Sequence, residues 1–273
     1  MARAGVAAPR ACASSMYREL GAGVFELLWL SGAPAERRAR ALDEGVVFDE
    51  SLVRALDEAC ARGPVILAAS HTGNWELFAC AAARLLAARG RRLAAVVKPQ
   101  SVRAIDAFCM QLRRASGIVT LEPSGAVVAA SRSLAAGDVV AMLIDQVPDR
   151  ARHGVRVGFL GAEALADRAP AALARATGAT LLVVAASRDG RRHRGHLLAV
   201  LAAHGSGAIE RPQPSAMEWT TDATRRATRA LEAFVGERPS AWLWMHRRWR
   251  APLEVGPRAR VRAPSLVATG HPG

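Results

Sequence analysis

Hydrophobic and polar positions along this chain follow two periods, one typical of strands and one typical of helices. Short apolar runs bounded by glycine, proline or polar residues indicate buried strands, and apolar residues three or four positions apart indicate helices. From residue 65 onward the two kinds of run alternate. The predicted strands are 65–69, 93–97, 118–121, 139–144, 180–186 and 196–202, and the predicted helices among them are 75–89, 102–115, 125–136, 170–177 and 221–237.

This order of elements predicts an α/β fold with a central mixed sheet flanked by helices. The sheet is expected to be mixed because strand 196–202 is predicted to run antiparallel to its neighbour, strand 180–186. A chain of 273 residues is long enough to bury one large core, so we expect a single domain over residues 1–250. Residues 251–273 are rich in proline, glycine and arginine, and we expect them to form a disordered tail.

Three helices are predicted before the first of these strands, at about 14–30, 35–42 and 51–61. The first is amphipathic and permits two interpretations. Its apolar side either faces the core or lies on a membrane surface, with Trp29 at the interfacial level and Arg18 on the polar flank. Its most apolar part, from Gly21 to Leu30, is about ten residues long, whereas a helix needs ~20 residues to cross a bilayer. A membrane contact made by this helix would therefore lie along the surface.

The charge of the chain narrows the choice of partner. It has 37 basic and 24 acidic residues, a net charge of +13, and Lys98 is its only lysine. Such a charge favours a partner rich in phosphate or carboxylate, such as nucleic acid, an anionic membrane or an acidic protein. Nucleic acid is the weakest of these, because only 5% of the residues are aromatic and no nucleic-acid-binding motif is present. The four cysteines are widely spaced, which indicates neither a metal site nor a disulfide framework.

One strand-to-helix junction carries the strongest candidate chemistry. His71-Thr72-Gly73-Asn74-Trp75-Glu76 follows the strand at 65–69 and leads into the helix at 75–89. Gly73 and Asn74 suit a turn and a helix cap, so His71 is expected before the helix and Glu76 in its first turn. A histidine with a neighbouring carboxylate is a general-base arrangement. A structural histidine at a buried turn is the alternative interpretation.

Other candidates also follow strands or helices. Asp145-Gln146 stands at the carboxyl end of the strand at 139–144, where open α/β sheets bind ligands, although an aspartate capping a turn is the simpler interpretation. Lys98 ends another strand, where it meets either a phosphate or solvent. Arg113 and Arg114 end a helix, where cations are favoured in any case. The remaining candidates are Phe159, in a glycine-flanked turn that could floor an acyl pocket, and the segment 240–250, which combines three tryptophans with His246 and Arg247.

Motifs that the sequence lacks limit the possible mechanisms. It has no GxSxG nucleophile elbow, no P-loop, no GxGxxG after a strand and no HExxH. A catalytic histidine would therefore activate a nucleophile of the substrate rather than one of the protein. That leaves transfer onto a hydroxyl group or hydrolysis by water.

Six motifs in the same order resemble those of the late lipid A acyltransferases, the lauroyl and myristoyl transferases, a family that includes the phosphatidylinositol mannoside acyltransferases. Lys98-Pro99 stands where that family usually has Arg-Pro, so a bidentate phosphate contact is lost. The motifs are His71 to Glu76, Lys98-Pro99, Arg113 with Gly117, Gly137 followed by Asp145-Gln146, Phe159-Leu160-Gly161, and Trp242 to Trp249.

The resemblance implies a fold like that of the glycerol-phosphate and lysophospholipid acyltransferases. It also implies an O-acyltransferase that moves a fatty acyl chain from acyl carrier protein or coenzyme A to a hydroxyl of a membrane glycolipid, most naturally a lipid A precursor. No metal or organic cofactor is required. By the resemblance, His71 is the general base, Glu76 orients it, Arg113 stabilises the oxyanion or holds a phosphate, and Asp145 positions the acceptor or an arginine. The expected substrate-binding residues are Asn74, Lys98, Arg114, Gln146, Phe159, His246 and Arg247.

The resemblance also implies a location at the cytoplasmic face of the inner membrane. Members usually begin with a membrane-spanning helix, so this chain is expected either to attach peripherally through its first helix or to lack an anchor at this N-terminus. Two other functions remain open: a non-catalytic membrane-surface protein on a degenerate acyltransferase fold, and a thioester or ester hydrolase that uses His71 to activate water.

Overall fold

The structure, a computed structural model, describes residues 1–202 and 215–249. The predicted tail at 251–273 lies outside the described residues. The helices are α1 (Pro9–Gly32), α2 (Ala35–Gly45), α3 (Glu50–Arg62), α4 (Trp75–Ala87), α5 (Arg103–Ala115), α6 (Ala126–Ala135), α7 (Ala169–Thr177) and α8 (Ala216–Glu237). The strands are β1 (Val46–Phe48), β2 (Val65–Ala69), β3 (Leu93–Val96), β4 (Val119–Leu121), β5 (Val139–Leu143), β6 (Gly154–Phe159), β7 (Ala162–Asp167), β8 (Thr180–Asp189) and β9 (Arg192–Ala202).

Seven strands form one mixed sheet in the order β1-β9-β8-β2-β5-β3-β4. β9 is antiparallel to β8, as the sequence predicts, and the pairs among β8, β2, β5, β3 and β4 are all parallel. β6 and β7 form a separate antiparallel hairpin. The α/β prediction with a mixed central sheet is confirmed.

Two apolar layers cover the two faces of this sheet. In β2, Ile66 and Ala68 belong to the layer that includes α6, α7, α8 and the hairpin. Val65 and Leu67 belong to the layer that includes α1, α2, α3 and α4. Because successive side chains of a strand point to opposite faces, a strand buried on both faces is apolar at every position. This is why β2 reads as an uninterrupted apolar run.

Some element boundaries differ from the sequence prediction for identifiable local reasons. α1 begins at Pro9, earlier than expected, with a proline in its first turn. α8 begins at Ala216 rather than 221, because Ser215 and Glu218 form a reciprocal capping box. The short edge strand β1 and the second hairpin strand β7 are not anticipated from the sequence.

Candidate active site

Strand register brings His71 and Asp145 together. β2 and β5 are parallel neighbours with Ala69 opposite Leu143, and each candidate residue comes two positions after its strand's member of that pair. The Nδ1 atom of His71 lies 2.9 Å from Oδ1 of Asp145, and the backbone N–H of His71 donates to Oδ2 at 2.8 Å. A carboxylate oxygen can only accept, so Nδ1 carries the proton and Nε2 is left to accept one. The pair therefore has the geometry of an oriented general base.

Asp145 is fully buried and is held by more than its histidine. The indole Nε1 of Trp242, which is also fully buried, donates to Oδ2 at 3.0 Å. Burial alone would raise the pKa of Asp145, but the neighbouring His71 ring, its hydrogen bonds and His246 lower that pKa well below its usual range. Asp145 therefore stays charged and keeps the histidine in one tautomer.

The turn after His71 is fixed from both sides. Gly73 has a φ of 55°, and a Cβ there would lie 2.9 Å from the carbonyl oxygen of Ala186 in β8. The backbone N–H of Gly73 donates to Ala241, and the N–H of Leu243 donates to the carbonyl of His71. The C-terminal segment thus holds the backbone of the turn, and glycine is the residue that fits its closest approach to β8.

Glu76 does not contact His71 in the way the sequence predicts. Its carboxylate forms a two-point ion pair with Arg113, with 3.0 Å between Arg113 Nε and Oε2. Both side chains are nearly buried and both line the cavity described below. Burial would lower the pKa of Arg113, but its hydrogen bonds to Glu76 raise that pKa. The expectation that Glu76 orients the imidazole is corrected: Asp145 does so.

His246 packs directly against the candidate base. Its ring centroid lies 4.2 Å from that of His71, and its Nε2 is buried without a hydrogen-bond partner among the described residues. Burial first, and then the adjacent His71, lower the pKa of His246. The positively charged form of His246 is thereby disfavoured next to the candidate base.

The other predicted binding residues divide into those at the cavity and those away from it. Asn74, Lys98, Gln146 and His246 line the cavity, and Lys98 also pairs with Asp149 at 3.0 Å. Arg114 and Arg247 are exposed and are not among the cavity-lining residues. Phe159 is fully buried and does not line the cavity. Its ring packs against Trp242, with 5.3 Å between the ring centroids.

The cavity beside His71 has a volume of about 1000 Å³. Its wall is formed by α1, α4, α5, the first turn of α6, and strands β2, β3, β5 and β8. Most of the lining side chains are apolar, and the polar ones include His71, Glu76 and Arg113. A large apolar cavity with a few convergent polar groups is a typical ligand site, and this one suits a hydrocarbon chain that ends at a polar reacting group.

Three side chains at the site are close enough together to act as ligands of one metal ion. One ligand atom from each of His71, Asp145 and His246 lies within 4.8 Å of the others. However, the two oxygens of Asp145 already accept three N–H groups, two from His71 and one from Trp242. A cation would have to displace the Nδ1 proton of His71, so the arrangement fits proton transfer better than metal binding.

Another histidine, outside the cavity, lies between a hydroxyl group and a carboxylate. His196 is 2.8 Å from the Ser187 hydroxyl through Nε2 and 3.0 Å from Asp49 through Nδ1. Ser187 is only 6% exposed and does not line the cavity. These three residues connect β8, β9 and the start of α3, and their geometry supports a structural role.

Residues 6–251 match the family described as bacterial lipid A biosynthesis acyltransferase, which covers nearly the whole chain. The chain belongs to this family. Membership gives this acyltransferase an acyl donor and a lipid acceptor, and places it in a membrane-associated family. A search of curated proteins returned no match. Among the described residues, every helix is too short or too polar to span a bilayer.

Two residues that support the candidate site do not stand out in the sequence. Trp242 is one of several tryptophans in an aromatic segment, yet its indole N–H donates to Asp145. Arg248 is 1% exposed, donates to the carbonyl groups of Gln146 and Leu165, and lies 5.1 Å from the ring of Phe159. Both residues lie in the motif from Trp242 to Trp249, but the motif alone does not show which of its side chains are buried.

Proposed function

We propose that this protein is an O-acyltransferase that moves a fatty acyl chain from a thioester to a hydroxyl of a membrane glycolipid, most naturally a lipid A precursor. The observation that carries the proposal is the hydrogen bond between His71 and Asp145 at the wall of a large apolar cavity. Family membership supports acyl transfer in general. The donor is acyl carrier protein or coenzyme A.

His71 acts as the general base. Its Nε2 takes the proton of the acceptor hydroxyl while the oxygen attacks the thioester carbonyl. Asp145 stabilises the imidazolium that forms, because its charge is held 2.9 Å from Nδ1. When the tetrahedral intermediate collapses, the C–S bond breaks, and the imidazolium returns its proton to the departing sulfur. A positioned base of this kind contributes about 10²–10⁴ in rate.

Arg113 supplies positive charge to the same cavity. Its ion pair with Glu76 fixes the guanidinium in the wall without leaving a buried charge uncompensated. Arg113 would stabilise the oxyanion of the intermediate or hold an acceptor phosphate, as a preorganised charge can. Glu76 then acts through Arg113 and not through His71.

The surface around the cavity is suited to contact with a membrane. The residues that both line the cavity and are about half exposed are Val24, Leu28, Ile105, Val127 and Val128. On the outer side of α1, Phe25 is 75% exposed and Trp29 is 55% exposed. An apolar rim on a chain of net charge +13 suits an anionic lipid surface. We propose peripheral attachment of this face to the cytoplasmic side of the inner membrane.

The test is a transfer assay on the full chain with an acyl thioester donor and lipid A precursor in vesicles. His71→Ala is expected to reduce the rate of acylated lipid formation by about 10²–10⁴. The matched control is His153→Ala, an exposed histidine in the same cavity wall, which is expected to leave the rate within about 3-fold. Transfer that survives His71→Ala would contradict the mechanism.

The products of the same assay separate the other functions. Free fatty acid as the sole product, with acceptor present, would identify a hydrolase that uses His71 to activate water. Thioester turnover above background with any acceptor of a panel would exclude a non-catalytic membrane-surface protein on a degenerate acyltransferase fold.

A further inference from the structure

A partly buried polar cluster joins α1 to the turn that carries His71. Glu26, on the inner side of α1, accepts hydrogen bonds from three residues of the sheet and the turn. Arg188 Nη2 donates to Oε1 at 2.6 Å, and Asn74 Nδ2 donates to Oε2 at 3.0 Å. The Nε2 of His193 lies 2.9 Å from Oε2. One carboxylate of α1 thus contacts both the turn before α4 and the β8–β9 hairpin, which are far apart from α1 in sequence.

The cluster keeps Glu26 charged. Burial would raise the pKa of this carboxyl group, but its hydrogen bonds to His193, Arg188 and Asn74 lower the pKa to about 2. His193 is nearly buried, at 3% exposure. Hydrogen bonds to a partly buried charge are short and directional, so the position of Glu26 specifies the positions of its partners.

Asn74 transmits this constraint toward the catalytic residue. Its Oδ1 accepts the N–H of Leu77 at 3.2 Å and so caps α4, while its Nδ2 reaches back to α1. Asn74 therefore closes the turn that His71 opens, three positions earlier. Helix α1 also presses on it directly, since a Cβ at Gly23 would lie 3.3 Å from Nδ2 of Asn74.

The two sides of α1 face different surroundings. Its inner side lines the cavity through Leu20, Gly23 and Leu27, and its outer side exposes Phe25 and Trp29. A change in the position of α1 would therefore move Glu26, the hydrogen-bond partner of Asn74, together with the exposed aromatic side chains of the helix.

We propose that Glu26 is a positioning residue that sets the geometry of the catalytic turn through Asn74, so that the seating of α1 controls the acyl-transfer step. The inference rests on the proposed function for its kinetic consequence, but the structural coupling has its own readout. Loss of the contact is expected to lower kcat roughly 10- to 100-fold with little change in KM for the donor, because a small misplacement of a catalytic group acts on the chemical step.

The first test exchanges donor and acceptor across the contact. Glu26→Gln removes the charge, and Asn74→Asp places a carboxylate against Glu26 while keeping a good helix cap. In the double variant the amide introduced at position 26 donates to the carboxylate introduced at position 74, so the contact returns with its polarity reversed. Each single variant is expected to lose kcat, and the double variant is expected to recover at least about 5-fold over the poorer single variant. A double variant no better than the product of the singles would overturn the inference.

The second test leaves every charge in place. Gly23→Ala adds one methyl group against Asn74, whereas Gly21→Ala adds one on the same helix with no atom within 4 Å. Both substitutions favour the helix, so neither should fail to fold. We expect Gly23→Ala to lower kcat and Gly21→Ala to leave it unchanged; equal values for the two variants would contradict the coupling.

The Nδ1 proton of His71, observed by NMR, reports the coupling without turnover. Its resonance should move in Glu26→Gln and in Gly23→Ala, and should return toward the wild-type position in the double variant. If the wild-type chain transfers no acyl group but the resonance shifts as expected, the proposed function fails and the coupling stands. If transfer depends on His71 but neither kcat nor the resonance responds, the coupling fails alone.

Discussion

Asp145 and Glu76, the two carboxylates predicted to serve the site, have different partners, and only Asp145 contacts the ring of His71. Asp145 contacts both the backbone and the imidazole of His71, whereas the Glu76 carboxylate contacts Arg113. A carboxylate that fixes the tautomer of a base and one that neutralises an arginine should have different consequences when removed. Substitution of each to its amide separates the two roles.

We expect Asp145→Asn to lower the transfer rate by about 10²–10⁴, because the base loses both its tautomer and its counter-charge. The same change should also make the free energy of unfolding depend less on pH in the acid range. The depressed pKa of Asp145 means that its charge contributes stability above its unfolded value of about 4, and this contribution is lost as pH falls. Transfer kinetics and unfolding as a function of pH measure both effects.

Glu76→Gln provides the comparison. It leaves the Arg113 guanidinium buried with a poorer partner, so stability should fall by about 3 kcal/mol. The shape of the pH profile for transfer should be kept, because the bond between His71 and Asp145 remains. A changed pH profile in Glu76→Gln, with Asp145→Asn still active, would show that Glu76 orients His71 as the sequence predicts.

At the scale of elements, the connection between β2 and α4 is the most constrained part of the site. It must leave the strand, present His71 and begin a helix within five residues, 70–74. Ser70 and Thr72 hydroxyl groups lie 3.0 Å apart, and Thr72 Oγ1 accepts the N–H of Ala186. The turn is therefore bonded to β8 as well as to the C-terminal segment.

Gly73→Ala tests this packing. A methyl group would sit 2.9 Å from the Ala186 carbonyl oxygen in a left-handed backbone conformation, so we expect a loss of more than about 1 kcal/mol in the free energy of unfolding. Transfer should fall as well, because His71 moves with the turn. The control is Gly190→Ala, which has a similar φ of 60° but no atom within 4 Å. Equal losses of stability in urea unfolding would show that the backbone angle alone matters.

At the scale of the whole molecule, the charge and the exposed apolar residues act together. The chain carries a net charge of +13, and the exposed side of α1 lies beside the rim of the cavity. Electrostatic attraction brings such a surface to anionic lipid, and burial of aromatic side chains retains it there. The acyl cavity would then open toward the surface that holds its acceptor.

The double change Phe25→Ser and Trp29→Ser is expected to weaken binding to vesicles containing anionic lipid by about 10- to 100-fold. Raising the salt concentration should weaken wild-type binding too. Met217→Ser removes an exposed apolar side chain from α8, on the opposite face of the sheet, and should change binding little. Co-sedimentation with vesicles measures all three; an equal effect of Met217→Ser would place the contact elsewhere.

Much of the fold followed from local patterns. The alternation of strands and helices, the antiparallel β9 and the turn at Gly73 are properties of short segments, and short segments reveal their periodicity and turn chemistry. His71 was found for the same reason, since it stands in a motif at a strand-to-helix junction. The extra strand β7 was missed because it faces the core with only part of its length.

The sequence by itself determined the family, the α/β class and the position of the candidate base, because each is encoded in neighbouring residues. Only the tertiary structure decided which carboxylate serves that base. Asp145 lies 74 positions from His71, and the two meet because β2 and β5 are neighbours in the sheet although β3 and β4 come between them in the chain. Strand order and register result from packing both faces of the sheet, which no local period records. Glu76 is near in sequence, but it starts a helix whose first turn directs it to Arg113.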